Sequence, residues 1–182
     1  MQEAFIAFGS PEYFLYLALL LVGRAADFLS TWIATPNLVL EANPIARRLG
    51  WKWGGAVNGV VCLLFACWPL PAIVIITTSV LVAARNFQSA WLMRSLGEAR
   101  YRTWIVERLA ESSRLVFLVC MLAQSLLVAS VGVVLMLFSR DGLVPFAVGT
   151  GMVAYAFAVT IFTVLSVRRV WRANGFNGLR RA

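Results

Sequence analysis

Groups able to do acid–base or ion chemistry are concentrated between Gly23 and Gly54. In GRAADFLSTWIATPNLVLEANPIARRLGWKWG, Arg24, Asp27 and Glu41 stand in or beside an otherwise apolar run. A charged side chain at the centre of a membrane helix costs roughly 2.5 to 3.5 kcal/mol on insertion scales, so each needs a partner, a polar cavity or a task. The chain has no His, and no Lys falls inside an apolar segment. That removes His-ligated metals, Ser-His-Asp and Ser-Lys hydrolysis, and haem ligation by His. Carboxylates remain. Asp27 and Glu41 are the candidate catalytic acids, sharing a proton for hydrolysis at the membrane face; with Asn43, Asn58 and Asn86 they are alternatively oxygen ligands for a cation. No dedicated metal motif and no cofactor site is read from these spacings.

A second polar stretch lies further along. Thr78, Ser79, Arg85, Asn86 and Ser89 recur at i, i+1, i+7, i+8 and i+11, which puts them on one face of a helix, and Arg24, Asp27 and Thr31 at i, i+3 and i+7 share another. At a rise of about 1.5 Å per residue, Asp27 lies about 6 Å inward of the middle of its segment and Arg85 and Asn86 about 3 to 5 Å inward of theirs. Matching depths predict an Asp27–Arg85 ion pair, with Arg24 or Glu41 as the competing partner. Glu41, Asn43 and Asn58 complete a polar cluster in the inner half of the bilayer. The intervening LVLEANP, residues 38–44, admits two readings. Either it tucks back toward the bundle and points Glu41 inward, or Asn43-Pro44 forms a plain turn and Glu41 offsets Arg47 and Arg48.

The elements that must position these groups are apolar helices. The 182 residues are 61% hydrophobic and 13% charged with a mean hydropathy of +0.82, and several runs approach the ~20 residues a transmembrane helix needs. Polar and Pro/Gly punctuation divides them at about 11–34, 54–68, 71–96, 115–138 and 143–167. The fold class expected is all-α: one integral membrane domain over 1–182, a polytopic bundle of five transmembrane helices. The opening MQEAFIAFGS has no Lys or Arg, so it lacks the basic region of a secretory signal peptide and the first helix is expected to stay.

Charge sets the orientation. Arg47, Arg48 and Lys52 follow the first segment, Arg94, Arg100, Arg102, Arg108 and Arg114 the third, and Arg168, Arg169, Arg172, Arg180 and Arg181 the fifth, which is thirteen of the 16 basic residues. The positive-inside rule then places the N-terminus outside and the C-terminus inside. All seven Trp fall at segment ends or in the adjoining loops, as amphipathic rings at headgroup level do. The net charge of +8 reads as attraction to anionic inner-leaflet lipid, and a nucleic-acid partner is not expected because there is no soluble basic face. Nearly all the basic residues are Arg, which fits a high-GC prokaryotic genome and a cytoplasmic (inner) membrane location.

Residues 98–114, EARYRTWIVERLAESSR, place Tyr101, Ile105 and Leu109 at i, i+4 and i+8 and Glu98 four residues before Arg102. This predicts an amphipathic helix at the inner surface, resting on lipid or docking a partner membrane protein. Ala147, Gly151, Ala154 and Ala158 line small residues along one helical face, suited to close helix packing or to a homo-oligomer. Cys62, Cys67 and Cys120 suggest no disulfide framework, and residues 173–182 are expected to form a flexible tail.

The Asp27-x-x-Ser30-Thr31 helix followed by Glu41-Ala42-Asn43-Pro44 and Arg47-Arg48-Leu49-Gly50-Trp51 resembles a group of small prokaryotic multi-pass membrane proteins sharing an Asp-x-x-[Ser/Thr]-Thr and Glu-Ala-Asn-Pro signature. The resemblance covers roughly the first half of the chain, with Asn86 similar to a polar position there. It implies that these residues act as a unit and implies no activity. Three functions fit. In the simplest, a buried network fixes helix register in a structural or accessory membrane subunit. In the second, the cluster binds or translocates an ion, a proton or a small polar solute. In the third, a carboxylate pair hydrolyses lipid or peptide at the inner leaflet.

Overall fold

The structure is a computed structural model that describes residues 5–41, 43–140 and 142–178, with side chains through Arg168. Among the described residues the fold is all-helical: α1 (Pro11–Ala34), α2 (Pro44–Phe65), α3 (Pro69–Leu96), α4 (Glu98–Glu111), α5 (Arg114–Leu137) and α6 (Leu143–Gly178). Four of these are long and apolar enough to cross a membrane: α1, α3, α5 and α6 as far as Arg168. The 24 residues of α1 span about 36 Å, more than the ~30 Å hydrocarbon core.

Local chemistry sets the helix ends. Ser10 caps α1 by accepting from the Tyr13 amide, with Pro11 in the first turn, where its missing N–H costs nothing. Asn43 caps α2 the same way through Ile45 and Ala46, and Pro44 follows it. Because of that cap, α2 begins ten residues before the expected segment start at 54, and Arg47, Arg48 and Lys52 ride on its first turns. Gly50 then bends the helix at φ 65°, a backbone conformation open to glycine at little cost. Beyond the bend only residues 51–65 remain helical, about 22 Å of rise. Gly97, at φ 77°, turns the chain from α3 into α4.

Helices α1, α3 and α6 run in one direction, and α2 and α5 return. Gly23 of α1 lies against Ile76 and Ser79 of α3, and Gly151 of α6 lies against Thr77 on the opposite side of α3. Gly132 of α5 and Gly149 of α6 bring those two helices into backbone contact. At the Ser10 end the bundle is tight: Tyr13, Leu20, Cys62, Ala66, Cys67 and Ala72 form a buried cluster, and the Ile6 amide donates to the Cys67 carbonyl at 3.0 Å. Cys62 and Cys67 are free thiols in that core, as small apolar packing groups. Packing opens toward the other end, where the basic residues gather.

At that basic end α4 lies beneath the bundle with Tyr101 buried. The expected Glu98–Arg102 pair does not form among the described residues. Glu98 instead accepts from the Asn37 amide at 2.8 Å, a charge-assisted bond to a backbone donor that has no helical partner, and the surface pair is Arg108–Glu111. Helix α6 continues to Gly178, into the stretch expected as a tail, and residues 179–182 of that tail lie outside the described residues.

Candidate functional site: a polar cavity at the basic end

Arg24 is the hub of the polar cluster. Its Nε donates to Asn58 Oδ1 of α2 at 2.7 Å, and its Nη1 donates to Asp27 Oδ2 at 2.8 Å and to Ser79 Oγ of α3 at 3.0 Å. The guanidinium lies 5.8 Å from the centre of the Phe28 ring, within cation–π range. Asn58 is itself held by donating to the Gly54 carbonyl at 2.7 Å. One side chain therefore ties three helices together, and its charge is matched by Asp27.

The ion pair is thus the competing one, Arg24–Asp27 at 2.8 Å, in place of Asp27–Arg85. Residues at i and i+3 on a helix meet without any alignment between helices, which gives Arg24 the shorter route. Position 86 then fixes where 85 goes. Asn86 Nδ2 donates to Ser30 Oγ at 3.2 Å and to Thr31 Oγ1 at 3.1 Å of α1, so Asn86 faces α1. Arg85, turned by about 100° around the axis, faces α6 instead, where its Nη2 donates to Thr163 Oγ1 at 3.4 Å. No carboxylate lies within 4.0 Å of Arg85 among the described residues.

The loop between α1 and α2 tucks back, as one of its two readings holds. Leu38 adopts φ 56°, its amide donates to the Thr35 carbonyl at 2.9 Å, and the Leu40 amide donates to Thr35 Oγ1 at 3.1 Å. Glu41 accepts from the Asn43 amide at 2.8 Å, so it also supports the turn that starts α2. Trp51 reaches back to donate to the Pro36 carbonyl at 2.8 Å, closing the loop onto the helix it feeds.

These groups surround a cavity of ≈ 690 Å³. All eight cluster residues expected from sequence line it: Arg24, Asp27, Thr31, Glu41, Asn43, Asn58, Arg85 and Asn86. The remaining wall is largely apolar, from Leu38, Leu40, Leu49, Val57, Val82, Val159 and Phe162. Tyr101 of α4 also borders the cavity, and burial pushes its phenol above the usual tyrosine value, so it is a neutral hydrogen-bonding group there.

Sequence reasoning missed four contributors. Ser30 is fully buried and completes the Asn86 contact; its place in the Asp-x-x-Ser-Thr run was its signal. Ser79 belonged to the polar face of α3 but was not joined to Arg24. Thr163 lies outside the polar faces read from the sequence, and Tyr101 belongs there to the apolar stripe of the amphipathic helix.

Fold and site together define an all-helical bundle with four apolar helices of membrane-crossing length, the build of a multi-pass membrane protein, around a polar cavity at its basic end. Comparison of the chain with protein-family models, with curated proteins and with solved structures finds no match.

Proposed function

We propose that the chain is a five-crossing protein of a prokaryotic inner membrane, N-terminus outside and C-terminus inside, whose cavity binds a small polar solute or ion from the inner side. The observation that carries this reading is that the eight polar residues line ≈ 690 Å³ of space. A network that only fixed register would fill that volume with its own side chains. Arg24 and its partners serve the register role expected of a structural subunit, while Glu41, Arg85 and Asn86 border the space. The hydrolase reading is weaker, because Asp27 is bound to Arg24 at 2.8 Å and Glu41 accepts from a backbone amide. Carboxylates compensated in this way do not share a proton as an acid–base pair must.

The fifth crossing rests on α2. Helices α1 and α3 run in the same direction, so the chain between them has to return. Residues 51–65 do so beside α1, with Asn58 level with Arg24 and the Leu63 carbonyl accepting from the Tyr13 hydroxyl at 3.2 Å. Asp27, Thr31, Glu41 and Asn43 of the Asp-x-x-Ser-Thr and Glu-Ala-Asn-Pro runs border one cavity.

The test is solvent access. In a background with all three native Cys replaced, Cys at Thr31 and at Asn86 is expected to react with a membrane-impermeant thiol reagent in inverted vesicles and not in right-side-out ones. Unreactive thiols in both preparations would show that the cavity is sealed and return the cluster to a purely structural role.

A further inference from the structure

Resting on the reading of the cavity as a binding site, we propose that its ligand is an oxyanion, phosphate or carboxylate, held by Arg85, and that it arrives as the headgroup of an anionic lipid. Charge makes the first half of the argument. The Arg24 guanidinium is matched by Asp27 at 2.8 Å. Glu41 accepts from the Asn43 amide and lies beyond 4.0 Å from Arg85, since no carboxylate among the described residues is closer. Among the described residues the Arg85 guanidinium, in an apolar helix, has the Thr163 hydroxyl, at 3.4 Å, as its hydrogen-bond partner. A cation entering beside α3 and α6 would meet that charge, whereas an oxyanion at the same place would compensate it through the paired N–H fork that guanidinium offers to phosphate and carboxylate.

The walls make the second half. Val57 of α2 and Val82 of α3 border the cavity together with Val159 and Phe162 of α6, an apolar surround that a free phosphate does not need and an acyl chain does. Helix α2 packs on α1 and α3, and α6 packs on α3, α4 and α5. Both also line the cavity, α2 through Val57 and Asn58 and α6 through Val159 and Phe162, and α2–α6 is not among the closely packed helix pairs; the proposed entry for a lipid lies between them. Ala158 is a small residue on α6 that borders the cavity, on the side of this proposed entry. A headgroup entering here reaches Arg85 while its chains remain among the apolar side chains and lipid.

The experiment uses the full chain in nanodiscs of phosphatidylcholine, with and without one fifth phosphatidylglycerol, and reads bound lipid by native mass spectrometry after release into detergent. Wild-type protein is expected to retain phosphatidylglycerol. Arg85→Gln should weaken retention about tenfold or more, the loss expected for a charge-assisted contact, and Arg85→Lys should lie between the two. Ala158→Phe, which leaves every charge in place, should also reduce retention by narrowing the proposed entry. Each variant is first required to match the wild-type thermal unfolding midpoint; if Arg85→Gln does not, Arg85→Lys and Ala158→Phe carry the test. Equal retention by all four proteins overturns the proposal. Binding of inorganic phosphate in phosphatidylcholine discs without retention of phosphatidylglycerol overturns the lipid source, leaving a free anion. If Cys at Asn86 is water-accessible and neither probe binds, this inference alone fails; if that Cys is sealed off, the underlying cavity reading fails with it.

Discussion

At the residue scale, two arginines in apolar helices have opposite duties. Among the described residues Arg24 makes three short hydrogen bonds, to Asp27 of its own helix, Asn58 of α2 and Ser79 of α3, whereas Arg85 makes one long one, at 3.4 Å. Replacing Arg24 by Gln leaves the Asp27 carboxyl without its ion-pair partner, with its side chain only 16% exposed. Breaking such a pair from one side costs about 3 kcal/mol. The double variant Arg24→Gln, Asp27→Asn removes both charges and should recover part of that loss, so the two changes will not add in thermal or denaturant unfolding of the purified protein. Strict additivity would show that the pair does not couple. Arg85→Gln should shift stability by less than about 1 kcal/mol, since a long bond to a hydroxyl contributes little. The membership of this cluster was legible in the sequence because charged and amide residues in apolar helices are few and share faces. Its pairing was not: depth and periodicity bring Asp27 and Arg85 to one level, but a turn of about 100° between Arg85 and Asn86 decides which of them meets α1. No spacing rule reports that rotation between helices.

At the element scale, glycines set how closely helices approach, and their neighbours predict which tolerate a methyl group. A Cβ on Gly149 would run into the Gly132 carbonyl, and one on Gly132 would lie 2.7 Å from the Gly149 carbonyl. A Cβ on Gly151 would come 2.8 Å from Thr77 Cβ. In contrast, the nearest atom to a Cβ on Gly23 is 3.6 Å away, an ordinary contact, and Ala is favoured over Gly in a helix by about 0.8 to 1 kcal/mol. Gly149→Ala and Gly132→Ala should therefore separate α5 from α6 and lower the unfolding midpoint, and Gly23→Ala should leave it unchanged or raise it. A fall for Gly23→Ala equal to that for Gly149→Ala would refute this ranking. The small-residue stripe read on α6 captured only part of this packing. Gly151 meets α3 and Ala147 is buried, while Ala154 is exposed. Gly149 lay off the stripe because α6 meets α3 and α5 on different faces, and a single periodic pattern describes one. The early start of α2 was hidden for a related reason: Arg47 and Arg48 looked like loop residues, yet the Asn43-Pro44 start signal carries a helix beneath them.

At the scale of the whole molecule, helix direction and charge constrain each other. The apolar helices α1, α3 and α6 point toward the basic end, where Arg47, Arg94, Arg108 and Arg114 cluster, and α5 returns to the turn that carries Arg140. If α2 lay flat at the basic end, α3 would have to begin there and run antiparallel to α1. Asn86 and Gly97 would then sit near the opposite surface from Thr31 and Thr35. Instead Asn86 touches Ser30 and Thr31, and Arg94 stacks over Trp32 at 5.9 Å, so successive levels of the two helices match in the same order. Four helices are long and apolar enough to span; the proposed fifth crossing is the short α2 segment, whose Asn58 and Leu63 pair with Arg24 and Tyr13 of α1. Single Cys residues at Thr103 in α4 and at Ser139 beside the α5–α6 turn, in a background lacking the native Cys, will report the outcome. We expect impermeant reagent to modify Ser139→Cys in intact cells and Thr103→Cys only in inverted vesicles. A third Cys at Arg47 should behave as Thr103 does. Modification of positions 47 and 103 from opposite sides would mean that the chain does not recross through α2, and would remove both the parallel α1–α3 pair and the cavity built against it.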